Sequence, residues 1–256
     1  MNEQDISRFA AAVRRRAERE PLQHIVGSAP FRHIEVAVGP GVFVPRPETE
    51  VVAGFAIEKA RQVTDRQHPV VVDLCAGSGA IALSIADEVP AARVHAVEVS
   101  EHALAWAIRN VAALEPAIGC RVTVHDADAT SPTTLRELDG SVDVVVSNPP
   151  YIPSDAVIRD PEVAEHDPAP ALWGGGPDGL DVMRGVVRTA ARLLRDGGWL
   201  VVEHADLQGE AVPALLRTHG RWGEISDHPD LAGRDRFTSA CKVGAVDRDD
   251  TGESRI

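Results

Sequence analysis

The sequence predicts an α/β fold in which one mostly parallel sheet is covered by helices on both faces. From Pro69 onward, apolar segments of strand length alternate with segments of helical periodicity, which is the pattern of successive strand–helix units. A glycine-rich turn follows the first of these strands, and the last two strands have no helix between them. A pair of strands without a helix predicts an antiparallel strand at the sheet edge. We therefore expect a seven-stranded, mostly parallel sheet.

A small helix and hairpin region precedes this domain. Apolar residues recur at helical spacing within residues 5–19 and predict one amphipathic helix. Alternating apolar residues within 31–38 predict a short hairpin, and the glycines and proline of residues 39–41 are the expected turn. A proline and two glutamates then favour the first turn of a helix within residues 47–62.

The rest of the chain is assigned from the same periodicities. We expect strands near residues 70–74, 93–98, 121–125, 142–147, 199–203, 223–227 and 236–243, and helices near 79–88, 101–114, 180–195 and 208–218. The resulting organisation is an N-terminal region over residues 1–45, a main domain over 46–246 and a polar, disordered tail over 247–256.

The glycine-rich turn, Asp73-Leu74-Cys75-Ala76-Gly77-Ser78-Gly79-Ala80, predicts a cofactor site. Glycines let a ligand approach the backbone closely, and the free N–H groups of a helix N-terminus favour electron-rich groups. The turn also satisfies the dinucleotide fingerprint, so NAD is an alternative cofactor. A carboxylate at Asp73 would meet the ammonium group of S-adenosylmethionine but would repel a pyrophosphate. Glu98, which ends the second strand, could accept both ribose hydroxyls, and S-adenosylmethionine is the cofactor we predict.

The second motif is the corner Asn148-Pro149-Pro150-Tyr151, which ends an apolar strand. Each proline fixes its own φ and extends the residue before it, so a rigid turn presents carbonyl oxygens with few competing N–H donors. Asn148 adds a side-chain acceptor, and Tyr151 adds a flat face for stacking. The corner predicts a reaction site for a planar NH₂ group. Asn148, Pro149 and Tyr151 are the expected catalytic residues, and Pro150 is expected to help bind the substrate.

Composition limits the partners and the location. The 256 residues carry a formal net charge of −13 with no long basic run, which argues against unaided binding to duplex DNA. The three cysteines are an odd number without metal-ligand spacing, as in reduced cytosolic proteins without a metal site. The sequence contains no apolar run of membrane-spanning length. We expect a cytoplasmic monomer with no metal, no membrane association and no direct DNA binding.

Four segments together resemble the protein N5-glutamine methyltransferases of the PrmC/HemK family. They are residues 43–50 (FVPRPETE), 73–82 (DLCAGSGAIA), 147–152 (SNPPYI) and 171–180 (ALWGGGPDGL). The Asn-Pro-Pro-Tyr motif is shared with adenine-N6 DNA and guanine-N2 RNA methyltransferases, whereas the first two segments are more specific. The resemblance runs from about Pro21 to Lys242. It implies a Rossmann-like class I S-adenosylmethionine-dependent methyltransferase fold and methyl transfer to a glutamine side-chain amide.

The resemblance also implies roles for individual residues in cofactor binding. The turn residues that would contact the methionine part of the cofactor are Ala76, Gly77, Ser78, Gly79 and Ala80. Glu98 takes the ribose position, where the family usually has Asp. Asp128 matches the acidic position near the adenine, and Ala129 follows it where family members often have a bulkier side chain. Asn148 is expected to border the cofactor as well as the substrate.

On the substrate side, the resemblance implies that Asn148, Pro149 and Tyr151 take the glutamine amide and that Arg46 contacts the substrate. The leading substrate is the Gly-Gly-Gln loop of a peptide chain release factor. Family members that act on release factors usually have a larger N-terminal helical domain, while roughly 20 residues precede Pro21 here, so we expect a reduced docking region.

Several alternatives remain open from the sequence. The glutamine could belong to a ribosomal protein or to another protein, or the substrate could be the exocyclic amine of a flipped nucleic-acid base. A non-catalytic S-adenosylmethionine-binding protein is a further alternative. Glu203, at the end of a strand, is either a supporting residue of the site or an exposed acid at the carboxyl edge of the sheet.

Overall fold

The computed structural model describes residues 2–119 and 121–244. Its N-terminal region contains the helices α1 (Glu3–Ala17) and α2 (Leu22–Val26) and the antiparallel strands β1 (Ser28–Phe31) and β2 (Ile34–Ala37). The hairpin therefore turns at residues 32–33, and the expected turn at 39–41 is wrong. Arg32 adopts a positive φ of 52° in this turn, and its guanidinium donates to the Glu88 carboxylate and the Glu50 carbonyl oxygen. These tertiary contacts offset the strain of a left-handed arginine.

The main domain alternates strands and helices as expected. In chain order, its elements are α3 (Thr49–Arg61), β3 (Val70–Leu74), α4 (Ala80–Glu88), β4 (Arg93–Glu98), α5 (Glu101–Ile118), β5 (Val122–Asp126), β6 (Val142–Ser147), α6 (Pro161–His166), α7 (Ala169–Leu172), α8 (Asp181–Leu193), β7 (Leu194–Glu203), α9 (Ala211–His219), β8 (Trp222–Pro229) and β9 (Asp235–Lys242). The short helices α2, α6 and α7 were not expected from the sequence.

The main sheet has seven strands in the order β5-β4-β3-β6-β7-β9-β8. Strands β3, β4, β5, β6 and β7 run parallel to one another, while β9 is antiparallel to both β7 and the edge strand β8. The predicted mostly parallel α/β sheet, with its antiparallel pair at the edge, is confirmed. The chain leaves β3 toward β4 on one side and later returns to β6 on the other. Open α/β sheets bind ligands beside such a change of direction, at the carboxyl ends of the strands.

Each face of the sheet has its own apolar core. Val71, Val144 and Val146 face α3, α4, α5 and the N-terminal hairpin, whereas Val72 and Val145 face α8 and α9. This alternation follows from the two-residue period of side chains along a strand. Because both faces are covered, the central strands are almost entirely apolar. The few polar residues on these strands are buried, and they hold the adjoining loops in place.

Asn110, on α5, joins the N-terminal hairpin to the main domain. Its amide accepts from the Ala37 N–H at 2.8 Å and donates to the Ala37 oxygen at 3.0 Å and to the Ser78 oxygen at 2.9 Å. The side chain is buried, so each of these backbone groups depends on it. One residue therefore fixes both the hairpin and the glycine-rich turn.

The N-terminal helix is held mainly by charge. Arg16 donates to Glu162 of α6 at 2.8 Å, and α1 contains no buried residue. The large apolar side chains that predicted its amphipathic character, Ile6, Phe9 and Val13, are half or more exposed. No helix in the described part of the chain combines the length and the apolar character needed to cross a membrane. Cys75 and Cys241 are free thiols; Cys120 and the expected tail at 247–256 lie outside the described residues.

We expect Asn110→Ala to lower the free energy of unfolding by about 2–4 kcal/mol, because three buried backbone groups lose their partner. Chemical denaturation measures this loss. Asn2→Ala is the matched control, since it removes only the exposed cap of α1 and is expected to lower stability by about 1 kcal/mol or less. Equal stability of the two variants would contradict the assignment of Asn110 as a joint.

Candidate active site

A cavity of about 700 Å³ opens at the carboxyl ends of β3, β4, β5 and β6. This volume lies within the range of small-molecule sites. Its lining comes from both motifs that the sequence singled out and from segments far apart along the chain. The predicted site residues that line it are Arg46, Ala76, Gly77, Ser78, Ala80, Glu98, Asp128, Ala129, Asn148, Pro150 and Tyr151.

The glycine-rich turn forms one wall of the cavity. The Ala76 N–H donates to the Val97 oxygen at 3.0 Å, and the Gly79 N–H donates to the Ala76 oxygen at 2.8 Å. Gly77 has a φ of +58°, and a Cβ built there would meet no atom within 4 Å, so the backbone at this point is open to a ligand. Gly79 does not line the cavity; it begins α4 with a φ of +81° and packs toward Leu83 and Ala107.

Glu98 connects this turn with the turn that follows β4. One carboxylate oxygen accepts from the Gly77 N–H at 2.8 Å, and the other accepts from the Val99 and Ser100 N–H groups at 2.9 and 2.8 Å. A carboxylate has about four acceptor positions, so about one position remains for a hydroxyl group in the cavity. The predicted ribose site is compatible with this geometry.

Asp73 lies beneath the turn and does not line the cavity. Its Oδ2 accepts from the Ala82 N–H at 3.1 Å, while Oδ1 is buried without a partner among the described residues. Burial raises its pKa to about 8, and the nearby Glu98 adds to the rise. Because Oδ1 has no partner among the described residues, the expected contact between Asp73 and a cofactor ammonium group stays a prediction.

The far wall follows β5. Asp128 accepts from both the N–H and the hydroxyl of Thr130 at 2.7 Å, which fixes the loop that carries Ala129. Apolar side chains complete this part of the cavity, namely Ile81, Val97, Val99, Ala103 and Ala127. An apolar slot with a carboxylate at each end suits a nucleoside, since its flat base is apolar on the faces and its amine and hydroxyls donate. The residues present therefore fit S-adenosylmethionine.

The Asn-Pro-Pro-Tyr corner is anchored to the strand that carries the cofactor turn. The Ser147 hydroxyl donates to the Leu74 oxygen at 2.7 Å, so the ends of β6 and β3 are joined. The Asn148 Nδ2 lies 3.4 Å from the Thr49 Oγ1, its partner at the start of α3. Tyr151 lines the cavity, and burial raises the pKa of its phenol, which is therefore neutral at ordinary pH. Pro149 does not line the cavity.

Two glycines and a glutamine support the corner from behind. A Cβ on Gly174 would lie 1.9 Å from the Gly179 oxygen and 2.7 Å from the Pro150 oxygen. A Cβ on Gly179 would lie 2.2 Å from the Tyr151 oxygen. The Gln208 Nε2 donates to the Tyr151 oxygen at 3.0 Å and to the Asp178 oxygen at 2.8 Å. The segment of residues 171–180 thus fits against the backbone of the corner without room for a side chain.

Arg46 lines the cavity together with Phe43 and Asp167. Its Nη2 donates to Asp167 Oδ2 at 2.7 Å, and its guanidinium carbon lies 4.8 Å from the centre of the Phe43 ring. Asp167 also lines the cavity, and its Oδ1 is buried without a partner among the described residues. Burial raises the pKa of Asp167, and Arg46 partly opposes the rise. The pair joins residues 43–50 to the loop that precedes α7.

Sequence reasoning missed several residues that support the site. Thr49, Asp167 and Gln208 were not singled out, although each contacts or lines the region around Asn148 and Tyr151. Thr49 lies within residues 43–50, which the sequence did flag, whereas the other two have no local pattern around them. In the ranges 2–119 and 121–244, no group of three or more His, Cys, Asp or Glu side chains is arranged to hold a metal ion.

Two protein families match the chain. Residues 50–161 match the family described as Methyltransferase small domain, and residues 1–27 match the PrmC N-terminal domain. The second match covers α1 and α2, so the N-terminal helical region is part of the same resemblance.

Several curated proteins are similar over most of the chain. A release factor glutamine methyltransferase of Streptomyces coelicolor is 54% identical over 93% of this chain and 81% of its own length. One from Mycobacterium tuberculosis is 43% identical over 93% of this chain and 75% of its own length. A 4-amino-L-phenylalanine/4-methylamino-L-phenylalanine methyltransferase of Streptomyces pristinaespiralis is 47% identical over 87% of this chain and 74% of its own length.

Solved structures share the fold at lower identity. A 16S rRNA N2 methyltransferase of T. thermophilus in complex with AdoMet and guanosine has a TM-score of 0.59 and 23% identity, covering 84% of this chain and 49% of the other. A ribosomal protein L11 methylase of Lactobacillus delbrueckii has a TM-score of 0.54 and 19% identity, covering 82% and 86%. At these identities the likeness concerns the fold alone.

We expect Glu98→Ala to weaken binding of S-adenosylhomocysteine by about 10- to 100-fold, because three backbone N–H groups and the proposed ribose contacts lose their acceptor. Isothermal titration calorimetry measures the change. Glu101→Ala, an exposed glutamate in the first turn of α5, is the matched control and should bind as the unchanged protein does. Full affinity in Glu98→Ala would contradict the assignment.

Gly174→Ala is expected to reduce methyl transfer at least about tenfold, because the new methyl group must displace the backbone of the Asn-Pro-Pro-Tyr corner. Gly244→Ala is the control, since its Cβ would meet only the end of the exposed Asp196 side chain, at 3.2 Å. Both are assayed with the same substrate, and circular dichroism establishes that each variant is folded. A fully active Gly174→Ala protein would mean that the close packing does not position the corner.

Proposed function

Because the chain belongs to the family of release factor glutamine methyltransferases, we propose that it methylates the glutamine of the Gly-Gly-Gln loop of a peptide chain release factor. The reaction transfers a methyl group from S-adenosylmethionine to the side-chain amide nitrogen. The observation that carries the proposal is the Asn-Pro-Pro-Tyr corner, which opens into the same cavity as the glycine-rich turn and Glu98. A methyl donor and an NH₂ group can therefore meet within one enclosed space.

The chemical difficulty is the weak nucleophile. An amide nitrogen shares its lone pair with the carbonyl group, and no side chain in the cavity is a strong enough base to deprotonate it at neutral pH. Asn148, which lines the cavity, is proposed to accept a hydrogen bond from the glutamine amide and to direct its nitrogen. The expected second acceptor is the Pro149 carbonyl, which would have to become accessible when the substrate binds, because Pro149 does not line the cavity. Orientation of this kind can lower a barrier by roughly 7–11 kcal/mol.

The cofactor supplies a methyl group on a positively charged sulfur, which needs no covalent intermediate with the enzyme. Tyr151 provides a flat, neutral surface for the planar amide, since burial keeps its phenol protonated. Arg46 and Asp167 line the cavity and form an ion pair. We assign them to the walls that receive the backbone of the substrate loop, with Arg46 held in place by the ion pair.

The same proposal defines the partners. The substrate is a release factor, and the enzyme acts as a monomer in the cytoplasm without contacting DNA directly. The formal net charge of −13 supports this choice over a nucleic acid, because phosphate-binding proteins rely on positive charge. An exposed loop can also insert one glutamine without the unstacking that a duplex base requires.

A second candidate activity is N-methylation of a free aromatic amine. It is favoured by the 47% identity to the relative named as a 4-amino-L-phenylalanine methyltransferase. An aromatic amine also carries a planar NH₂ group, and it could stack on Tyr151. The two activities differ in whether the acceptor belongs to a protein loop or to a free amino acid, so one assay can separate them.

We expect labelled methyl groups from S-adenosylmethionine to appear on a release factor and not on 4-amino-L-phenylalanine, ribosomal proteins or DNA offered in parallel. Mass spectrometry should place one added CH₂ on the glutamine of the Gly-Gly-Gln loop. A release factor with that glutamine changed to alanine is the control and should remain unlabelled. Label only on the free amino acid or on a base would overturn the proposal.

Asn148→Ala should reduce methyl transfer by a factor on the order of 10² or more, because an oriented acceptor is lost at the reacting nitrogen. The melting temperature is expected to change little, since the hydrogen bond from Asn148 to Thr49 is long, at 3.4 Å, and Asn148 has the smallest of the influences named on the Glu203 carboxylate. Steady-state kinetics and thermal denaturation provide the two measurements. An unfolded variant, or one with full activity, would contradict a catalytic role.

A further inference from the structure

Glu203 lies beside the reaction site but outside the cavity. Ser147 of β6 is paired with Val202 of β7, so the next residues of the two strands, Asn148 and Glu203, lie side by side at the carboxyl edge of the sheet. The Glu203 side chain is buried, and it is not among the residues that line the cavity. The substrate therefore does not touch it, and any effect on catalysis must pass through a neighbour.

The carboxylate is surrounded by groups of the active site. The Thr49 hydroxyl and the Asn148 amide act as hydrogen-bond donors that lower its pKa, Arg236 of β9 attracts its charge, and Glu48 repels it. Its charge also raises the pKa of Tyr151. One oxygen, Oε2, is buried without a hydrogen-bond partner in the described residues. A buried carboxylate with an unpaired oxygen lowers stability. Such a group is typical of a functional site, where geometry is kept at the expense of stability.

The hydrogen-bond inventory of Thr49 gives that reason. A threonine hydroxyl has one hydrogen and two acceptor positions. When the hydrogen is donated to the Glu203 carboxylate, Thr49 can only accept from Asn148, whose Nδ2 lies 3.4 Å from the Thr49 Oγ1. The NH₂ end of the Asn148 amide must then face Thr49 and Glu203. Its oxygen is left as the end that faces the cavity, where an NH₂ donor needs an acceptor.

We propose that Glu203 is a positioning residue that, as a carboxylate, locks Thr49 and Asn148 so that the Asn148 oxygen faces the NH₂ group to be methylated. The inference rests on the proposed function only in requiring an NH₂ substrate, which glutamine and an aromatic amine share. It assigns no contact between Glu203 and the substrate.

Protonation of Glu203 reverses the network. A protonated carboxyl donates to Thr49, whose hydrogen then turns to the Asn148 oxygen, and the amide rotates to offer its NH₂ end to the substrate. Burial raises the pKa of Glu203 to about 7, Glu48 adds to the rise, and Thr49, Arg236 and Asn148 oppose it. The turnover number should therefore rise as pH increases through about 7.

The same carboxyl has the opposite effect on stability. Its folded pKa of about 7 exceeds the ordinary glutamate value of 4.5, so its favourable contribution to stability is complete below about pH 4.5 and is lost as pH rises to about 7. Glu203→Gln removes the ionised form and should raise the melting temperature at pH 8. A purely structural role would instead predict a lower melting temperature together with lower activity.

The first test compares Glu203→Gln with Glu210→Gln, an exposed glutamate whose side chain makes no cap of α9. Glu203→Gln should reduce kcat at pH 8 by about 10- to 100-fold, leave S-adenosylhomocysteine affinity unchanged and abolish the rise of kcat near pH 7. Thr49→Val should reduce kcat similarly, and Thr49→Ser should restore it. Glu210→Gln should match the unchanged protein. An unchanged kcat and pH profile in Glu203→Gln would overturn the inference.

The second test needs no turnover. The chain has three asparagines, Asn2, Asn110 and Asn148, so selective ¹⁵N labelling of asparagine gives three side-chain NH₂ signals that single substitutions assign. The Asn148 signal should titrate near pH 7 in the unchanged protein and not in Glu203→Gln. A pH-independent Asn148 signal would refute the positioning role. A titrating signal in a protein that does not label release factors would refute only the proposed substrate.

Discussion

The loops at the carboxyl edge of the sheet have backbone groups that no neighbouring strand can pair, and buried side chains satisfy them instead. Glu98 accepts three N–H groups, Asn110 bonds to three backbone atoms, and Gln208 donates to two carbonyl oxygens. Ser147 adds the bond between the ends of β6 and β3. The cavity keeps its shape because each loop around it is held by a side chain from another element.

The site also contains groups that work against folding. Asp73, Asp167 and Glu203 each have a buried oxygen without a partner in the described residues, and burial raises the pKa of all three. They belong to β3, to the loop before α7 and to β7. Asp167 lines the cavity, whereas Asp73 and Glu203 are buried behind its lining. Such departures from well-satisfied burial are expected at functional sites, where stability is exchanged for geometry.

The sequence predicted what depends on neighbouring residues. The strand–turn–helix around Gly77 and the Asn-Pro-Pro-Tyr corner are local patterns, and the structure places them at one cavity. Other contacts join residues far apart along the chain. Those of Asn148 with Thr49, of Arg46 with Asp167 and of Gln208 with Tyr151 span 99, 121 and 57 residues, and the local pattern of a sequence does not predict contacts at such separations.

The hairpin turn was missed for a related reason. Glycine and proline at residues 39–41 favoured a turn there, but Arg32 adopts the left-handed conformation because Glu88 and Glu50 hold its guanidinium. The contacts of Arg32 in the folded chain therefore outweigh the local turn preference of residues 39–41. The family resemblance supplied the roles of Asp128 and Arg46, which their immediate sequence surroundings would not have given.

The way in which Glu98 holds the glycine-rich turn has a consequence for turnover. Because the carboxylate already fixes Gly77, Val99 and Ser100, the proposed nucleoside half of the site is preorganised. That half of the ligand is identical before and after methyl transfer. Contacts that bind both forms equally well cannot favour release of the spent cofactor. The difference in affinity between the methylated and the demethylated cofactor must therefore arise near Asn148 and Tyr151. Accumulated S-adenosylhomocysteine would compete for the same nucleoside contacts and inhibit the reaction.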